Sequence, residues 1–375
     1  MRILIFTGTT RPNTSIGKFY SHLTKVLKAK GIDYELYSVR DIDCAKVGKR
    51  VFKILRVFDF INCTCFKKKI DTSRFDVFFN DMNAGSCFFL FKKRLPTFSI
   101  SLYRNSGWNF IEGYTKTGGI GNLIKSLYVF ISIVLLQELP SVRASDVILA
   151  VSYYTKKNLT RNGIRPDKIK VIRNAIETNK FYPRDKRECR KHLGLDENVF
   201  YLIFVGRFTP DKGREIVIRT MDLLKDYPIK LLLIDDRGYS GELPPNVIYV
   251  GKVPNGELPL WLNAADVFFF PSLYEGDSLA CLEAASSGLP LVASNTGGLW
   301  ELKKRKEKYL SELIVDIKPP DKAAVEYASV ILMLFFNRKF LKKARWFWTK
   351  WGRKKDIKDN MLLYSRLIGG EYNDL

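Results

Sequence analysis

The chain has 375 residues, of which 46% are hydrophobic, and its formal net charge is +23. This length exceeds one ordinary core and indicates two domains, and the apolar content excludes general disorder. The charge favours anionic partners, namely nucleic acid, acidic lipid headgroups or phosphorylated small molecules. Two histidines exclude a histidine-rich metal site, and the six cysteines, with Cys63 and Cys65 as the one close pair, lack zinc or redox spacing.

The first half alternates predicted strands with predicted helices. Residues 2–8 form a short apolar strand, and residues 15–31 repeat apolar side chains at helical spacing until Gly31. Further buried strands are predicted at 34–39, 75–80, 96–102, 145–152 and 169–176. Residues 126–139 are apolar but shorter than the roughly 20 residues of a membrane span, which favours a buried helix.

The same alternation restarts in the second half. Strands are predicted at 199–208, 229–235, 246–251, 266–272 and 289–294, with helices at 212–224, 258–265 and within 277–288. The two α/β units join around the charged stretch 179–194. Alternation of this kind predicts parallel sheets that helices cover on both faces.

The stretch VGRFTPDKG places Arg207 and Lys212 between the end of a strand and the start of a helix. Ligands of open α/β sheets bind at that edge, and a guanidinium, an ammonium and free helix amides together suit a diphosphate. The alternative is an ordinary solvated basic surface.

Two acids follow a later strand, in YEGDSLACLEAASSG. Asp277 or Ser278 is the expected N-cap, so Glu275 lies in the loop and Glu283 on the early helix. The helix dipole alone favours a carboxylate such as Glu283, by about 0.3–1 kcal/mol, but it does not explain Glu275. Two carboxylates that accept hydroxyl hydrogen bonds beside a phosphate-binding helix terminus indicate a site for a sugar nucleotide.

These stretches resemble the retaining GT-B glycosyltransferases of the family 4 type, the glycosyl transferases group 1. EGDSLACLE has their E-x7-E pattern, and LNAADVFFFPSLYEG, EAASSGLPLVASNTGG and residues 145–183 are similar to the family as well. The resemblance implies an α/β fold of two Rossmann-like, doubly wound parallel-sheet domains that face a cleft. It implies an acceptor domain at 1–180, a donor domain at 181–350 and a C-terminal helix, 351–375, that returns to the first domain.

The resemblance also implies roles for single residues. Arg207 and Lys212 match the pair that contacts the donor diphosphate, and Glu275, the third implied catalytic residue, contacts the donor sugar. Glu283 matches the residue that holds the ribose hydroxyls. The other implied donor-binding residues are Gly17, Lys252, Val253, Gly276, Asp277, Ser278 and Leu279.

The chain departs from the family at the loop 99–107, where many members carry a histidine and this sequence has none. Tyr103, Arg104 or the backbone would then fill that role. The acid pair Asp235 and Asp236 is an alternative metal site, although the family needs no metal and a metal site would need more converging acids.

The expected function is a metal-independent hexosyltransferase without a cofactor. It would move a sugar from a nucleotide-sugar donor to a hydroxyl of a glycan or lipid-linked acceptor, with retention of anomeric configuration. The basic, aromatic stretches 46–61 and 338–355 suit either an anionic membrane surface or a solvated face over core aromatics. The expected location is the cytoplasm, with peripheral membrane binding left open. The alternatives are a nucleotide-sugar-binding scaffold and a nucleic-acid binder, but no nucleic-acid-binding motif is visible and no specific nucleic acid is expected.

Overall fold

The structure, a computed structural model, describes residues 1–7, 15–38, 71–81 and 98–370. Contacts between residues divide the chain into two units. The first unit comprises 1–111, 123–173 and 358–375, and the second comprises 112–122 and 174–357. The main passage from the first unit to the second therefore falls between Arg173 and Asn174.

The first unit is built on a six-stranded parallel sheet. Its strands are β1 (Arg2–Thr7), β2 (Asp33–Ser38), β3 (Val77–Asp81), β4 (Phe98–Tyr103), β5 (Val147–Ala150) and β6 (Ile169–Val171). They lie in the order β2-β1-β3-β4-β5-β6, so the strand order reverses between β1 and β3.

Helices accompany this first sheet, although residues 112–122 among them belong to the second unit. They are α1 (Ser15–Ala29), α2 (Gly107–Thr117), α3 (Ile120–Val129), a π-helical segment (Phe130–Glu138), α4 (Leu139–Ala144), α5 (Tyr153–Thr160) and α13 (Ile357–Ile368), with 3₁₀ turns at Thr72–Arg74 and Pro166–Lys168. On α1 the apolar face predicted from the sequence is buried, including Phe19, Leu23 and Leu27. The ring of Tyr364 on α13 meets Phe19 edge-on at a centroid distance of 4.9 Å, so α13 packs on the first unit.

The second unit is built on another six-stranded parallel sheet. Its strands are β7 (Phe200–Val205), β8 (Ile229–Ile234), β9 (Val247–Gly251), β10 (Val267–Phe270), β11 (Leu291–Ser294) and β12 (Ile314–Val315). They lie in the order β12-β11-β10-β7-β8-β9, which from the other edge is the 3-2-1-4-5-6 order of a Rossmann sheet. The topological switch point lies between β7 and β10.

Seven helices and two 3₁₀ turns accompany this sheet in the described part of the second unit. They are α6 (Lys186–Leu193), α7 (Arg214–Leu223), α8 (Leu258–Ala264), α9 (Leu279–Ser286), α10 (Gly297–Lys304), α11 (Pro320–Phe336) and α12 (Arg338–Arg353), with 3₁₀ turns at Pro210–Lys212 and Ser311–Leu313. The central strands are covered on both faces, since Leu202, Ile203, Phe268 and Phe269 are all fully buried. The predicted α/β class, with two doubly wound parallel sheets, is confirmed.

One sequence prediction about the first unit is wrong in part. Residues 126–139 lie within a continuous helix, 120–144, whose inner side is buried but whose outer side is not. Val129 and Val134 are buried, whereas Leu127 and Ile131 are exposed. The segment is apolar all round, so its composition could not reveal that one face is left uncovered.

The tryptophans of 338–355 lie on α12, which packs on α9 of the second unit. A Cβ on Gly352 of α12 would lie 2.5 Å from the backbone nitrogen of Ser286, so the two helices touch. Trp348 is fully buried and Trp346 is exposed. The other basic stretch, 46–61, and the pair Cys63 and Cys65 lie outside the described residues.

Candidate functional site

The predicted cations and acids lie at the carboxyl edge of the second sheet, at its switch point. The loop after β7 carries Arg207 and Lys212, and the loop after β10 carries Glu275 through Ser278. Because β7 and β10 are hydrogen-bonded neighbours, both loops leave the sheet side by side. Open α/β sheets bind their ligands at such a point.

Backbone contacts fix the two loops to each other. The amide of Leu273 donates to the carbonyl of Asp211 at 3.0 Å. Gly213 follows in the left-handed region, with φ of 82°, and a Cβ there would lie 2.1 Å from the carbonyl oxygen of Pro271. Only glycine allows this approach, so the close packing of the loops depends on Gly213.

Lys212 and Glu275 form the central contact of the site. The Nζ of Lys212 donates to Oε1 of Glu275 at 2.5 Å, and their side chains are 16% and 17% exposed. The Lys212 ammonium also lies 5.9 Å from the ring centroid of Phe270 at the end of β10. The pair is thus screened less than a surface ion pair and still reaches solvent.

Arg207 is the more open cation, with 42% of its side chain exposed. Its Nη2 lies 3.5 Å from Oδ2 of Asp211, a contact too long to engage the guanidinium strongly. The guanidinium therefore keeps donors for an anionic ligand.

The N-terminus of α10 lies against the Glu275 loop. The Glu275 amide donates to Oγ1 of Thr296 at 3.2 Å. Gly297, the first residue of α10, has φ of 56°, and a Cβ there would lie 2.6 Å from the Gly276 carbonyl oxygen. A helix N-terminus, with its partial positive charge, thus adjoins the acidic loop.

The N-terminus of α9 begins in the same loop. Ser278, one of the two predicted candidates, is its N-cap and accepts from the amide of Cys281 at 3.4 Å, so Leu279 is the first helical residue. Asp277 is buried and accepts from the amide of Asn174 at 3.0 Å, which orients its carboxylate towards the start of the second unit. Glu283 is half-buried on α9. Burial raises the pKa of the Cys281 thiol, which argues against a cysteine nucleophile here.

Two further predicted donor contacts follow β9 at the same edge of the second sheet. Lys252 is exposed and Val253 half-buried. Gly17 lies in the first turn of α1, in the first unit.

The candidates for the role of the missing histidine lie at the end of β4, where Tyr103 is the last residue of the strand and Arg104 follows it. Tyr103 is fully buried among Val142, Ile148 and other core residues, and burial raises the pKa of its hydroxyl. Arg104 pairs with Asp81, at 3.2 Å between Nε and Oδ1. Tyr103 is therefore a core residue, and Arg104 is the candidate at the carboxyl edge of that sheet.

Asp235 supports the loop that carries Arg207. It is buried, and its Oδ1 accepts from the amide of Phe208 at 3.0 Å and from that of Arg237 at 3.2 Å. The carboxylate thus holds the loop that carries Arg207. Across the described ranges, no cluster of three or more histidine, cysteine or acidic side chains is arranged to hold a metal.

Several positioning residues escaped the sequence reasoning: Asn174, Asp211, Gly213, Thr296 and Gly297. The two glycines stand in stretches already singled out, PDKG and NTGG, so a search for close backbone approaches could have found them. Asn174 lies 103 positions from Asp277, and no local pattern could link them.

Comparison with known proteins identifies the region that contains this site. Residues 185–334 match the glycosyl transferases group 1 family. This group 1 region holds every predicted donor-binding residue except Gly17, while the candidates Tyr103 and Arg104 precede it. An uncharacterized glycosyltransferase of Methanocaldococcus jannaschii is 32% identical over 172 residues, which cover 42% of this chain and 43% of that relative. The chain spans less than half the length of the first curated relatives it matches, from 43% to 49%.

Solved structures extend the likeness to both units. Sucrose-phosphate synthase from Thermosynechococcus elongatus aligns with a TM-score of 0.75 at 17% identity and covers 99% of each chain. Anabaena HepE, solved in complex with UDP and glucose, aligns with a TM-score of 0.65 at 15% identity and covers 99% of this chain and 100% of its own. At these identities the likeness establishes the fold, which is that of the GT-B glycosyltransferases.

Proposed function

We propose that this chain is a glycosyltransferase of class EC 2.4, which moves a sugar from a nucleotide-sugar donor to an acceptor hydroxyl. The observation that carries the proposal is the Lys212–Glu275 pair, which joins a cation and an acid at the switch point of the group 1 region. Arg207 and the N-termini of α9 and α10 lie at the same edge, so groups for phosphate and for sugar hydroxyls occur together.

The proposed chemistry follows from where charge develops. As the sugar leaves, its anomeric carbon becomes cation-like and the departing diphosphate gains negative charge. Arg207, Lys212 and the helix amides stabilise that anion from fixed positions, and a preorganised donor of this kind contributes roughly a hundredfold or more to rate. These positive groups replace the charge that a metal would supply, and we propose a reaction that needs neither metal nor cofactor.

Lys212 and Glu275 work as a unit in this proposal. The ammonium has three donors, so it can keep its bond to Glu275 while a second N–H binds a phosphate oxygen. Glu275 accepts from a hydroxyl of the donor sugar, and Glu283 accepts from the ribose. Asp277, Ser278 and Leu279 contribute backbone groups, and Lys252 and Val253 contact the base.

Retention of anomeric configuration is part of the proposal. The acceptor hydroxyl attacks from the face that the diphosphate leaves, and a diphosphate oxygen takes its proton. The bond from carbon to the acceptor oxygen forms as the bond to the diphosphate breaks, so no outside reactant is required. A uridine diphosphate sugar is the first donor to test, because HepE was solved with UDP and glucose.

For the acceptor we propose a glycan or a lipid-linked sugar. A net charge of +23 suits a peripheral protein that works at an anionic membrane on the cytoplasmic side.

A panel of nucleotide sugars tests the donor assignment. The true donor will raise the unfolding temperature by mass action and will be hydrolysed or transferred. Lys212→Ala and Glu283→Ala will each weaken donor use at least about tenfold. Lys225→Ala is the matched control, since its 3.4 Å pair with Asp222 is exposed. Equal donor use by the wild type and the three variants would refute the assignment of the site.

The second candidate is a nucleotide-sugar-binding scaffold, favoured by the absence of a histidine after β4. Tight donor binding without turnover, with any acceptor of a glycan and lipid-linked panel, would favour the scaffold over the enzyme.

A further inference from the structure

The helix that runs from Ile120 to Ala144 leaves a line of apolar side chains in solvent. The apolar stripe consists of Ile120, Leu123, Ile124, Leu127, Ile131 and Leu135, whose exposed fractions run from 80% down to 41%. The steps between them are three, one, three, four and four residues, so they lie along one side of the helix.

The opposite side of this helix is fixed by packing. Ile133 and Val134 are buried, and a Cβ on Gly107 would lie 2.5 Å from Cγ2 of Val134. The ring of Phe130 meets Trp108 edge-on at 5.7 Å. The helix therefore cannot roll to bury the stripe without breaking contacts within the first unit.

Hydrogen bonds of Glu138 also hold this side of the helix against the first unit. Its carboxylate is buried and accepts from the hydroxyl of Ser106 at 3.0 Å, the amide of Gly107 at 2.8 Å and the side-chain amide of Asn162 at 2.7 Å. The one acid of the helix is thus turned into the protein.

Single exposed apolar residues are ordinary, but six in line on one helix mark an interaction surface. The charges around the stripe indicate its partner. Lys125 and Arg143 are exposed, and the helix presents no acid to solvent because Glu138 faces inward. An apolar face with exposed cations matches an anionic bilayer, in which side chains enter the headgroup region and lysines meet phosphates.

We propose that the apolar stripe is a membrane-docking surface that inserts into the headgroup region of an anionic bilayer. The helix is long and apolar enough to cross a membrane, but its inner side packs on the first unit, so it lies along the surface. A second copy of this chain is a poorer partner, because its own Lys125 and Arg143 would face the same cations and repel them. The surface specifies the membrane part of the proposed function and does not depend on whether sugar transfer occurs.

Flotation with lipid vesicles tests this surface independently of catalysis. The full chain is mixed with vesicles of phosphatidylcholine alone or with about one third phosphatidylglycerol, at low and high salt. We expect flotation with the anionic vesicles at low salt. Leu123→Ser/Leu127→Ser will lower the bound fraction about tenfold or more, because two leucines no longer enter the bilayer.

The matched control is Val325→Ser/Leu362→Ser, which removes two exposed apolar side chains outside the stripe and will float like the wild type. Ile120→Ser/Ile124→Ser repeats the test should the first variant melt at a lower temperature. Failure of the wild type to float would overturn the proposal, and so would stripe variants that both float as well as the wild type. A wild-type dimer that the stripe variants convert to a monomer would overturn it too, since a second copy would then cover the face. If donor hydrolysis fails while flotation succeeds, the proposed chemistry alone is refuted.

Discussion

At the scale of single residues, Glu275 holds Lys212, and in the proposed reaction it also accepts from a hydroxyl of the donor sugar. Glu275→Gln keeps the size of the side chain but removes the charge that the Lys212 ammonium meets at 2.5 Å. We expect turnover of the donor to fall about a hundredfold while the unfolding temperature changes little. Glu242→Gln, at an exposed acid of the same unit, is the control. Full activity of Glu275→Gln in steady-state kinetics would exclude Glu275 from the chemistry.

Gly213 offers a second test at this scale. Gly213 and Gly238 have nearly the same backbone angle, φ of 82° and 80°, so alanine costs similar backbone strain at both positions. At Gly213 the new Cβ would also lie 2.1 Å from the Pro271 carbonyl oxygen, whereas no atom lies within 4 Å at Gly238. Gly213→Ala will therefore destabilise the protein by about 1–3 kcal/mol more than Gly238→Ala, measured by urea unfolding. It will also lose donor binding, because the two loops of the site are forced apart. Equal unfolding free energies for the two variants would contradict this, since the loops would then have moved apart without cost.

At the scale of elements, a buried ion cluster fixes α6 to the amino-terminal edge of the second sheet. Asp266, just before β10, accepts from Lys186, from Arg190 at 2.7 Å and from the amide of Tyr201 at 2.9 Å. Burial alone would raise the pKa of Asp266, but Lys186 and Arg190 outweigh it and hold the pKa below its ordinary value. The stabilisation is thus present above about pH 4 and is lost as the pH falls through the lowered pKa.

Asp266→Asn leaves the buried Arg190 and the half-buried Lys186 without their anion. We expect a loss of about 3–5 kcal/mol in the free energy of unfolding near pH 7, measured by denaturant titration. Glu197→Gln is the control, because the exposed carboxylate of Glu197 lies 4.0 Å from Arg187 and contributes under about 1 kcal/mol. Similar stability losses for the two variants would mean that the cluster is no stronger than a surface pair.

Glu138 gives the helix of the apolar stripe a pH dependence of the opposite sign. Burial raises the pKa of this carboxyl, although its three hydrogen-bond donors oppose the shift. A raised pKa means that the folded state holds the proton more tightly, so this residue's contribution to stability falls as the pH rises above about 4.5. Glutamine does not titrate, so the wild type alone loses this contribution as the pH rises. The unfolding free energy of Glu138→Gln minus that of the wild type will therefore increase between about pH 4.5 and 7. Two parallel curves of unfolding free energy against pH would contradict the raised pKa.

At the scale of the whole molecule, periodicity alone located most strands and the two sheets, because buried parallel strands are near-continuous apolar runs. Local chemistry also narrowed the N-cap of α9 to Asp277 or Ser278, of which the structure has Ser278, and put Arg207, Lys212 and Glu275 at one edge. The contacts that complete the site could not be predicted from single stretches. Thr296 meets Glu275 and Asn174 meets Asp277 only after the sheet brings distant loops together.

The exposed stripe was missed for a different physical reason. A helix that is apolar all round has no periodic contrast, so the sequence does not show which side the protein covers. Only the packing of Val134 against Gly107 and the inward turn of Glu138 reveal the uncovered side.

The central claim is that Arg207 and Lys212 bind the diphosphate of a nucleotide sugar at the switch point of the second sheet. A crystal structure of the chain with a nucleoside diphosphate tests it most directly. We predict phosphate oxygens within hydrogen-bonding distance of the Arg207 guanidinium and Lys212 Nζ, with ribose hydroxyls on Glu283. A diphosphate bound elsewhere, with Arg207 and Lys212 still turned to Asp211 and Glu275 alone, would contradict the account.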